Sequence, residues 1–377
     1  MSTRVIKVDP SDPKGTTAAA RQGAEALQRG RLVAFATETV YGVGAVASDS
    51  AAMERLRELK NRPERPFSVH IPWPEDVRRY VGEVAPSAGK VIHKAWPGPI
   101  TLVLETGGEL ADPQLQAAGL HDVLTSEGRI GLRCPDAPLA RMMLAEVEGV
   151  VVAPSANLAG HPSPRSGEEV LADLDGQIDL LIDSGQTEYG GDSTILACSG
   201  DRWETLRSGV RGAADIERIM ATMYLFVCTG NTCRSPMAEG MAIKALTEKL
   251  NCDANQLAEK GFCVESAGVF AFPGGRASPQ AVQALEKLGS DITQHASQKL
   301  TSELINCSDM VFCCTGQHLS EARCLAPSAT ARIRLLDQDG DIPDPIGADV
   351  SVYQAIAERI DRSFRAYLRD AEKLEKE

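Results

Sequence analysis

The sequence predicts two α/β domains in tandem: a mixed α/β twisted sheet with a central groove, then a small doubly wound parallel sheet of Rossmann-like type. Three observations carry this. At 377 residues the chain is long for one domain, and either half can bury its own core. Before residue 212, short apolar runs and helical periodicities mix without strict order. After residue 222, strand and helix alternate. The expected division is 1–212, a Gly/Ala-rich linker at 213–222, and 223–377.

In the first half, "GRLVAFATETVYGVGAV" is an apolar, β-branched run that breaks into a glycine-punctuated turn, a strand followed by a loop. "SAAMERLRELKNRP" places Met53, Leu56 and Leu59 at helical spacing and is stopped by Pro63. "PITLVLE", "GVVVAPSAN", "DLLIDSG" and "STILAC" read as further strands. "LRSGVRGAADIERIMATM" holds a short helix. The second half begins with the strand "YLFVCT" and continues through a helix from Ser235, "FCVESAG", a helix from Ser278, "MVFCCT", a further helix, "RIRLLD" and the closing helix "SVYQAIAERIDRSFRAYLRDAEKLEK".

Composition narrows the function classes. Apolar residues are 43% and charged residues 24%, ordinary for a globular chain. A formal net charge of −13 argues against general attraction to nucleic acid or anionic lipid. Ten cysteines form no spaced framework, which suits free thiols in a reducing compartment. The start "MSTRVIKVDPSDPKG" has no apolar core for a signal peptide, and no run reaches ~18 apolar residues, so the expected location is the cytoplasm.

The densest chemistry is "VCTGNTCRSPMAE". Cys228 ends an apolar strand and Ser235-Pro236 opens a helix, so the intervening loop offers backbone N–H groups to an oxyanion. Arg234 suits two phosphoryl oxygens at once. The same field favours a thiolate nucleophile at Cys228. Asp344, in "GDIPDPIGAD", lies on a loop that returns to the same sheet edge and supplies an acid for the leaving group. Asn231 and Ser235 can steady the loop, with Gly230, Thr232 and Cys233 completing it. Cys233 is close enough in sequence for a reversible disulfide with Cys228.

Residues 223–370 resemble the low-molecular-weight protein phosphatases, on C-x-G-N-x-C-R-S-P, the late D-P, "ESAG" and "ASPQAV". The resemblance implies Cys228 as nucleophile, Arg234 as phosphate ligand and Asp344 as general acid, with no cofactor. Tyrosine-specific members usually follow D-P with an aromatic residue; here Ile346-Gly347 follows, and Thr232 stands where those enzymes often have Ile or Leu. Both features resemble the bacterial protein-arginine phosphatases. Phosphotyrosine specificity and arsenate reduction are the rival chemistries on this fold.

The first half scatters polar groups over apolar strand ends: Thr37, Glu38 and Thr39 in "TETVYG", Lys60 and Arg62 in "KNRP", His70 in "FSVHI", Arg133 in "GLRCP", Ser155 and Asn157 in "PSAN", Ser193 in "DST" and Arg207 in "LRSGV". Four cations in an acidic chain suggest one anion groove, which a nucleoside triphosphate would fill. In this order the motifs resemble the YrdC family of threonylcarbamoyl-AMP synthases. That implies L-threonine, bicarbonate and ATP as substrates, pyrophosphate as by-product, Mg²⁺ as helper, and a separate tRNA threonylcarbamoyl transferase complex as consumer. Lys60, Arg62, Asn157 and Arg207 would then serve ATP. Thr37, His70, Arg133, Ser155 and Ser193 would line the threonine end. No residue is assigned as a metal ligand. Two departures stand out: Ala36 where the family usually has Pro, and "ERPF", shorter and with Phe67 for Leu. The rival reading is a first domain that binds nucleotide or RNA without turnover.

Overall fold

The computed structural model describes residues 2–62 and 65–374, the last three in backbone alone. Pro63 and Glu64, part of the K-x-R-P motif, lie outside the described residues. Contacts divide the chain into two compact units, Met1–Ile216 and Glu217–Glu377. Among the described residues no helix is long and apolar enough to cross a membrane.

The first unit is built on one mixed sheet. Its strands run, edge to edge, Arg4–Lys7, Leu180–Asp183, Val33–Ala36, Tyr41–Val46, Val151–Val152, Val69–His70, Arg129–Arg133, Ile100–Glu105, Thr194–Ser199 and Arg202–Arg207, with Thr125–Ser126 paired beside Arg129–Arg133. Parallel and antiparallel neighbours mix, as where Ile100–Glu105 lies parallel to Thr194–Ser199 but antiparallel to Arg129–Arg133. Helix Pro13–Gln28 starts on an Asp12 side chain that accepts from Lys14 N–H, with Pro13 in its first turn. It packs Ala19, Ala20 and Leu27 with Leu139, Ala140 and Met143 of helix Pro138–Glu146 over Phe35 and Ile182.

One expected loop is a strand. "YGVGAV" is not a turn; Tyr41–Val46 pairs antiparallel with Val33–Ala36. The reason lies in how its glycines pack. A Cβ on Gly44 would sit 3.0 Å from the Phe35 ring and 3.3 Å from Leu27, so that glycine admits neighbours where its pattern suggests a reversal. In "GVVVAPSAN" regular strand is confined to Val151–Val152, and Ser155 bridges Gly42 alone.

The second unit holds a four-stranded, all-parallel sheet in the order Phe262–Gly268, Thr222–Cys228, Met310–Cys313, Ile333–Leu335. Both faces are covered, which explains the unbroken apolar run "YLFVC". Tyr224, Phe226 and Phe312 face helices Arg234–Leu250, Pro279–Lys287 and Val350–Leu374 through Met237, Met241, Leu285, Ile360 and Phe364. Leu225, Val227 and Val311 face the other way, onto Ile305, Ala322 and Ala326. The sheet order reverses between the first and third strands of this unit. The loop after Cys228 leaves the carboxyl end of the sheet at that switch point, where doubly wound folds place their ligands.

Two candidate active sites

Strand ends in the first unit enclose a cavity of about 710 Å³. Thr37, Lys60, Arg62, His70, Arg133, Ser155, Ser193 and Arg207 all line it, drawn from seven separate motifs. Register explains the convergence. Thr101 pairs with Arg133 on one side and Ile195 on the other. Along the Arg129–Arg133 strand every second residue, Arg129, Gly131 and Arg133, faces the cavity.

The cations are held in different ways. Lys60 Nζ donates to Ser155 O at 2.9 Å, Asn157 O at 2.7 Å and Asn157 Oδ1 at 2.9 Å. Burial pushes its ammonium down to about 8, with Arg62 adding to the effect and Asp192 opposing it. Arg207 donates to Ser193 O at 2.7 Å and to Ser193 Oγ at 3.0 Å, and Ser193 Oγ meets Thr101 Oγ1 at 2.9 Å. Arg62 lies over the Phe67 ring at 5.5 Å, so the residue that departs from the family pattern carries a cation. Burial, reinforced by Arg133, drives His70 down to about 3. Its imidazole is therefore neutral at pH 7, and Nδ1–H donates to Ser68 O at 3.3 Å.

Two of the residues named from the motifs are held by partners the motifs do not show. Asn157 does not line the cavity: its amide oxygen receives Lys60 and Ser155 Oγ, and its amide nitrogen donates to His161 O. It acts on the site through Lys60. Arg133 lines the cavity already paired: its Nη2 donates to Glu38 Oε1 at 2.7 Å and Thr39 Oγ1 at 3.2 Å. Arg133 and Glu38 are 3% and 4% exposed. Sequence reasoning also passed over Arg65, Arg129, Thr101 and Asp192, all on the cavity wall. The alternation in "GRIGLRCP" was the available signal for Arg129. No three His, Cys, Asp or Glu side chains gather as a metal centre among the described residues; of the two carboxylates on the wall, Glu127 and Asp192, Asp192 faces Arg207 at 3.7 Å.

In the second unit the loop winds around the Cys228 sulfur. Ser235 Oγ lies 2.9 Å from Cys228 Sγ, and Asn231 N–H donates to that sulfur at 3.3 Å. Asn231 takes a left-handed φ of 53°, a conformation asparagine tolerates better than most residues. Its side chain is fully engaged: Nδ2 donates to Ser235 Oγ at 2.9 Å and to Ser266 Oγ at 2.8 Å, while Oδ1 accepts from Gln298 N–H at 2.8 Å. Ser266 Oγ donates to Glu239 Oε2 at 2.6 Å, and His295 Nε2 reaches Asn231 O at 2.8 Å. The N–H groups of Gly230, Thr232, Cys233, Arg234 and Ser235 donate to no partner among the described residues. Five amides without a partner in one strand-to-helix loop are available to an anion. Gly268 makes room for it, since a Cβ there would lie 2.5 Å from Thr229 O and 2.8 Å from Asn231 N.

Arg234 begins the following helix, Arg234–Leu250, one residue earlier than expected. Its guanidinium donates to Asp344 Oδ2 at 2.5 Å, Thr229 Oγ1 at 3.2 Å and Ile342 O at 3.3 Å. An anion in the loop must therefore compete with Asp344 for this arginine. Cys233 Sγ is turned to Ser278 Oγ at 3.3 Å and to Tyr353 OH at 3.6 Å. Sequence alone pointed to neither partner, nor to Ser266, Glu239 and His295.

A family model described as telomere recombination, covering Sua5, YciO and YrdC, matches residues 25–209. One described as low molecular weight phosphotyrosine protein phosphatase matches residues 223–377. The threonylcarbamoyl-AMP synthase of Bacillus subtilis is 35% identical over 243 residues, 64% of this chain and 68% of that protein. That of Pyrococcus abyssi is 34% identical over 57% of this chain and 61% of its own length. The protein-arginine-phosphatase of Bacillus subtilis is 34% identical over 158 residues, 40% of this chain and 96% of that protein.

Proposed function

Since the chain belongs to the Sua5–YciO–YrdC family in its first unit and to the low-molecular-weight phosphatase family in its second, we propose a bifunctional enzyme that makes threonylcarbamoyl-AMP and hydrolyses protein phosphoarginine. The observation that carries the first activity is the gathering of Lys60, Arg62, Ser155, Ser193 and Arg207 on one cavity wall. No protein nucleophile is required. The threonine amine condenses with bicarbonate, releasing water, to give a carbamate, whose oxygen attacks the α-phosphorus of ATP as the bond to pyrophosphate breaks. The protein positions the partners and offsets charge. Lys60, Arg62 and Arg207 hold phosphates. Thr37, Ser155, Ser193 and the neutral His70 line the threonine end, and Arg133, already paired with Glu38, gives it a buried polar floor. Mg²⁺ enters as part of the substrate, on the triphosphate, with Asp192 and Glu127 the carboxylates on the wall. The product would pass to a separate tRNA threonylcarbamoyl transferase complex.

The second activity rests on Cys228 Sγ, which accepts from Asn231 N–H at the head of a loop whose other amides are free for an anion. The sulfur attacks phosphorus and the bond to the substrate nitrogen breaks, with Asp344 giving that nitrogen its proton. Water then attacks the phosphocysteine, returning a proton to Asp344 and releasing phosphate. Because Asp344 pairs with Arg234, the entering phosphoryl group both takes the arginine and frees the acid. Thr232, in the loop that follows the nucleophile, together with the likeness to an arginine phosphatase, supports phosphoarginine. Phe270 favours the phosphotyrosine alternative: it is 66% exposed, its N–H is bonded to Thr229 O beside the loop, and a phenyl ring could stack on it.

The test is to assay the whole chain for threonine- and bicarbonate-dependent pyrophosphate release and for hydrolysis of phosphoarginine and phosphotyrosine peptides, beside Cys228→Ser and Lys60→Ala. Each variant should silence one reaction only. A preference for phosphotyrosine would overturn the substrate assignment, and pyrophosphate release indifferent to threonine would overturn the synthase reading.

A further inference from the structure

We propose that His318 is a positioning residue of the phosphatase site, holding the Arg234 guanidinium toward the phosphoryl oxygens through the Thr229 hydroxyl. The proposal rests on the phosphatase reading of the second unit. His318 lies in the first turn of helix Gly316–Leu325 and is 4% exposed. No step of the reaction above uses it. Its Nε2 lies 2.9 Å from Thr229 Oγ1, and its Nδ1 lies 2.9 Å from the hydroxyl of Thr315, the residue that caps the helix. Thr229 Oγ1 in turn receives Arg234 Nη2 at 3.2 Å.

The proton inventory sets the direction of this chain. Arginine can only donate, so Thr229 Oγ1 accepts from it. The threonine hydroxyl then sends its own hydrogen to a lone pair on His318 Nε2. The histidine proton is left on Nδ1, donated to Thr315 Oγ1. Each link needs a neutral imidazole. Burial holds His318 below its ordinary value and Arg234 acts in the same sense, while Glu321, Asp341 and Asp344 oppose them. Were Nε2 protonated, Thr229 would face two donors and Arg234 a second positive charge.

This matters most during turnover. Asp344 leaves Arg234 to transfer a proton, so its restraint on the guanidinium lapses. What remains is Ile342 O at 3.3 Å and the Thr229–His318–Thr315 chain. An arginine fixed on that side spends less ordering entropy when it grips the transferring group.

Thr229→Val and His318→Leu should each lower kcat/KM for p-nitrophenyl phosphate about tenfold and weaken inhibition by inorganic phosphate about as much, the scale of losing an outer-shell partner. The double variant should be no worse than the worse single one, because both break one chain. His318→Gln keeps an acceptor near the Nε2 position without its proton. It should retain most activity and lose one group from the acid limb of the pH profile. Additive losses, phosphate inhibition unchanged in Thr229→Val, or an unaltered acid limb in His318→Gln would overturn the proposal. If His318→Leu fails to fold, the other two variants decide. If the wild-type chain hydrolyses phosphoarginine but no phosphomonoester, phosphoarginine replaces p-nitrophenyl phosphate in these assays; if it hydrolyses neither, the phosphatase reading fails by itself. Calorimetric titration with phosphate then decides this proposal: weaker binding to Thr229→Val upholds it, and equal or absent binding overturns it.

Discussion

Replacing Glu38 by Gln should destabilise the first unit more than any change at its surface. The Glu38–Arg133 pair spans 2.7 Å with both side chains under 5% exposed. It is also incompletely served, since Glu38 Oε2 and Arg133 Nε have no hydrogen-bond partner. Removing the carboxylate charge leaves a buried guanidinium uncompensated, which costs about 3–5 kcal/mol. For a unit of this size each kcal/mol moves the midpoint by roughly 2–4 °C, so a drop of about 6–20 °C is expected. Urea unfolding followed by circular dichroism should show the midpoint of one transition falling, with the transition of the second unit unmoved as internal control. Glu38→Leu combined with Arg133→Leu should recover most of the loss, because a half-satisfied buried pair competes poorly with apolar packing. A Gln variant within about 1 kcal/mol of wild type would refute the reasoning, for it would mean that water reaches the pair. A double variant as unstable as the single would refute it differently, by showing that Arg133 holds the cavity floor for reasons other than charge.

Three further outcomes can be measured. The Lys60 ammonium, held down to about 8, should impose an alkaline limb near that pH on kcat/KM for ATP; Lys60→Arg should move the limb upward, and a profile flat to pH 9.5 (roughly 1.5 units beyond) would count against the role given to Lys60. His70 titrates near 3 when folded but at about 6.5 when unfolded, so between those values the unfolded chain binds the extra proton and stability falls as pH falls, by on the order of 4 kcal/mol across the window. His70→Gln should flatten that slope in acid titrations of stability, and an unchanged slope would place the loss on carboxylates instead. Gly268→Ala drives a methyl group to 2.5 Å from Thr229 O, a backbone atom that cannot swing aside, so phosphate binding should be lost along with about 1–3 kcal/mol of stability. Wild-type phosphate affinity in that variant would show that the loop has slack.

The two sites differ in how far the sequence discloses them, and the difference is one of covalent distance. Cys228, Asn231, Arg234 and Ser235 lie within one strand-to-helix turn, so chain geometry alone brings their groups together, and they could be read as one site. Asp344 could be inferred only because a doubly wound sheet returns its loops to one edge. The supporting groups were out of reach. Ser266 and His295 meet Asn231 across 35 and 64 residues, and nothing local in "ESAG" or "TQHAS" points a side chain at a loop that far back. In the first unit most functional groups meet partners of that remote kind, as Lys60 meets Ser155 across 95 residues. Listing Arg133 as a cation was possible from "GLRCP", but its neutralisation by Glu38 depends on a partner 95 residues away. The strand misread as a turn has the same origin. Gly42 and Gly44 have ordinary negative φ and are small because Phe35, Leu27 and Ala153 press on them. A glycine chosen for close packing and a glycine chosen for a reversal are identical in one dimension, and only the neighbours that the fold supplies tell them apart. The same ambiguity governs charge: an arginine's role follows from whether a carboxylate faces it, which is why Arg62 and Arg133, equally visible in sequence, do opposite work. One lies over a ring at the cavity wall, where an anion can reach it, and the other is already paired beneath the surface.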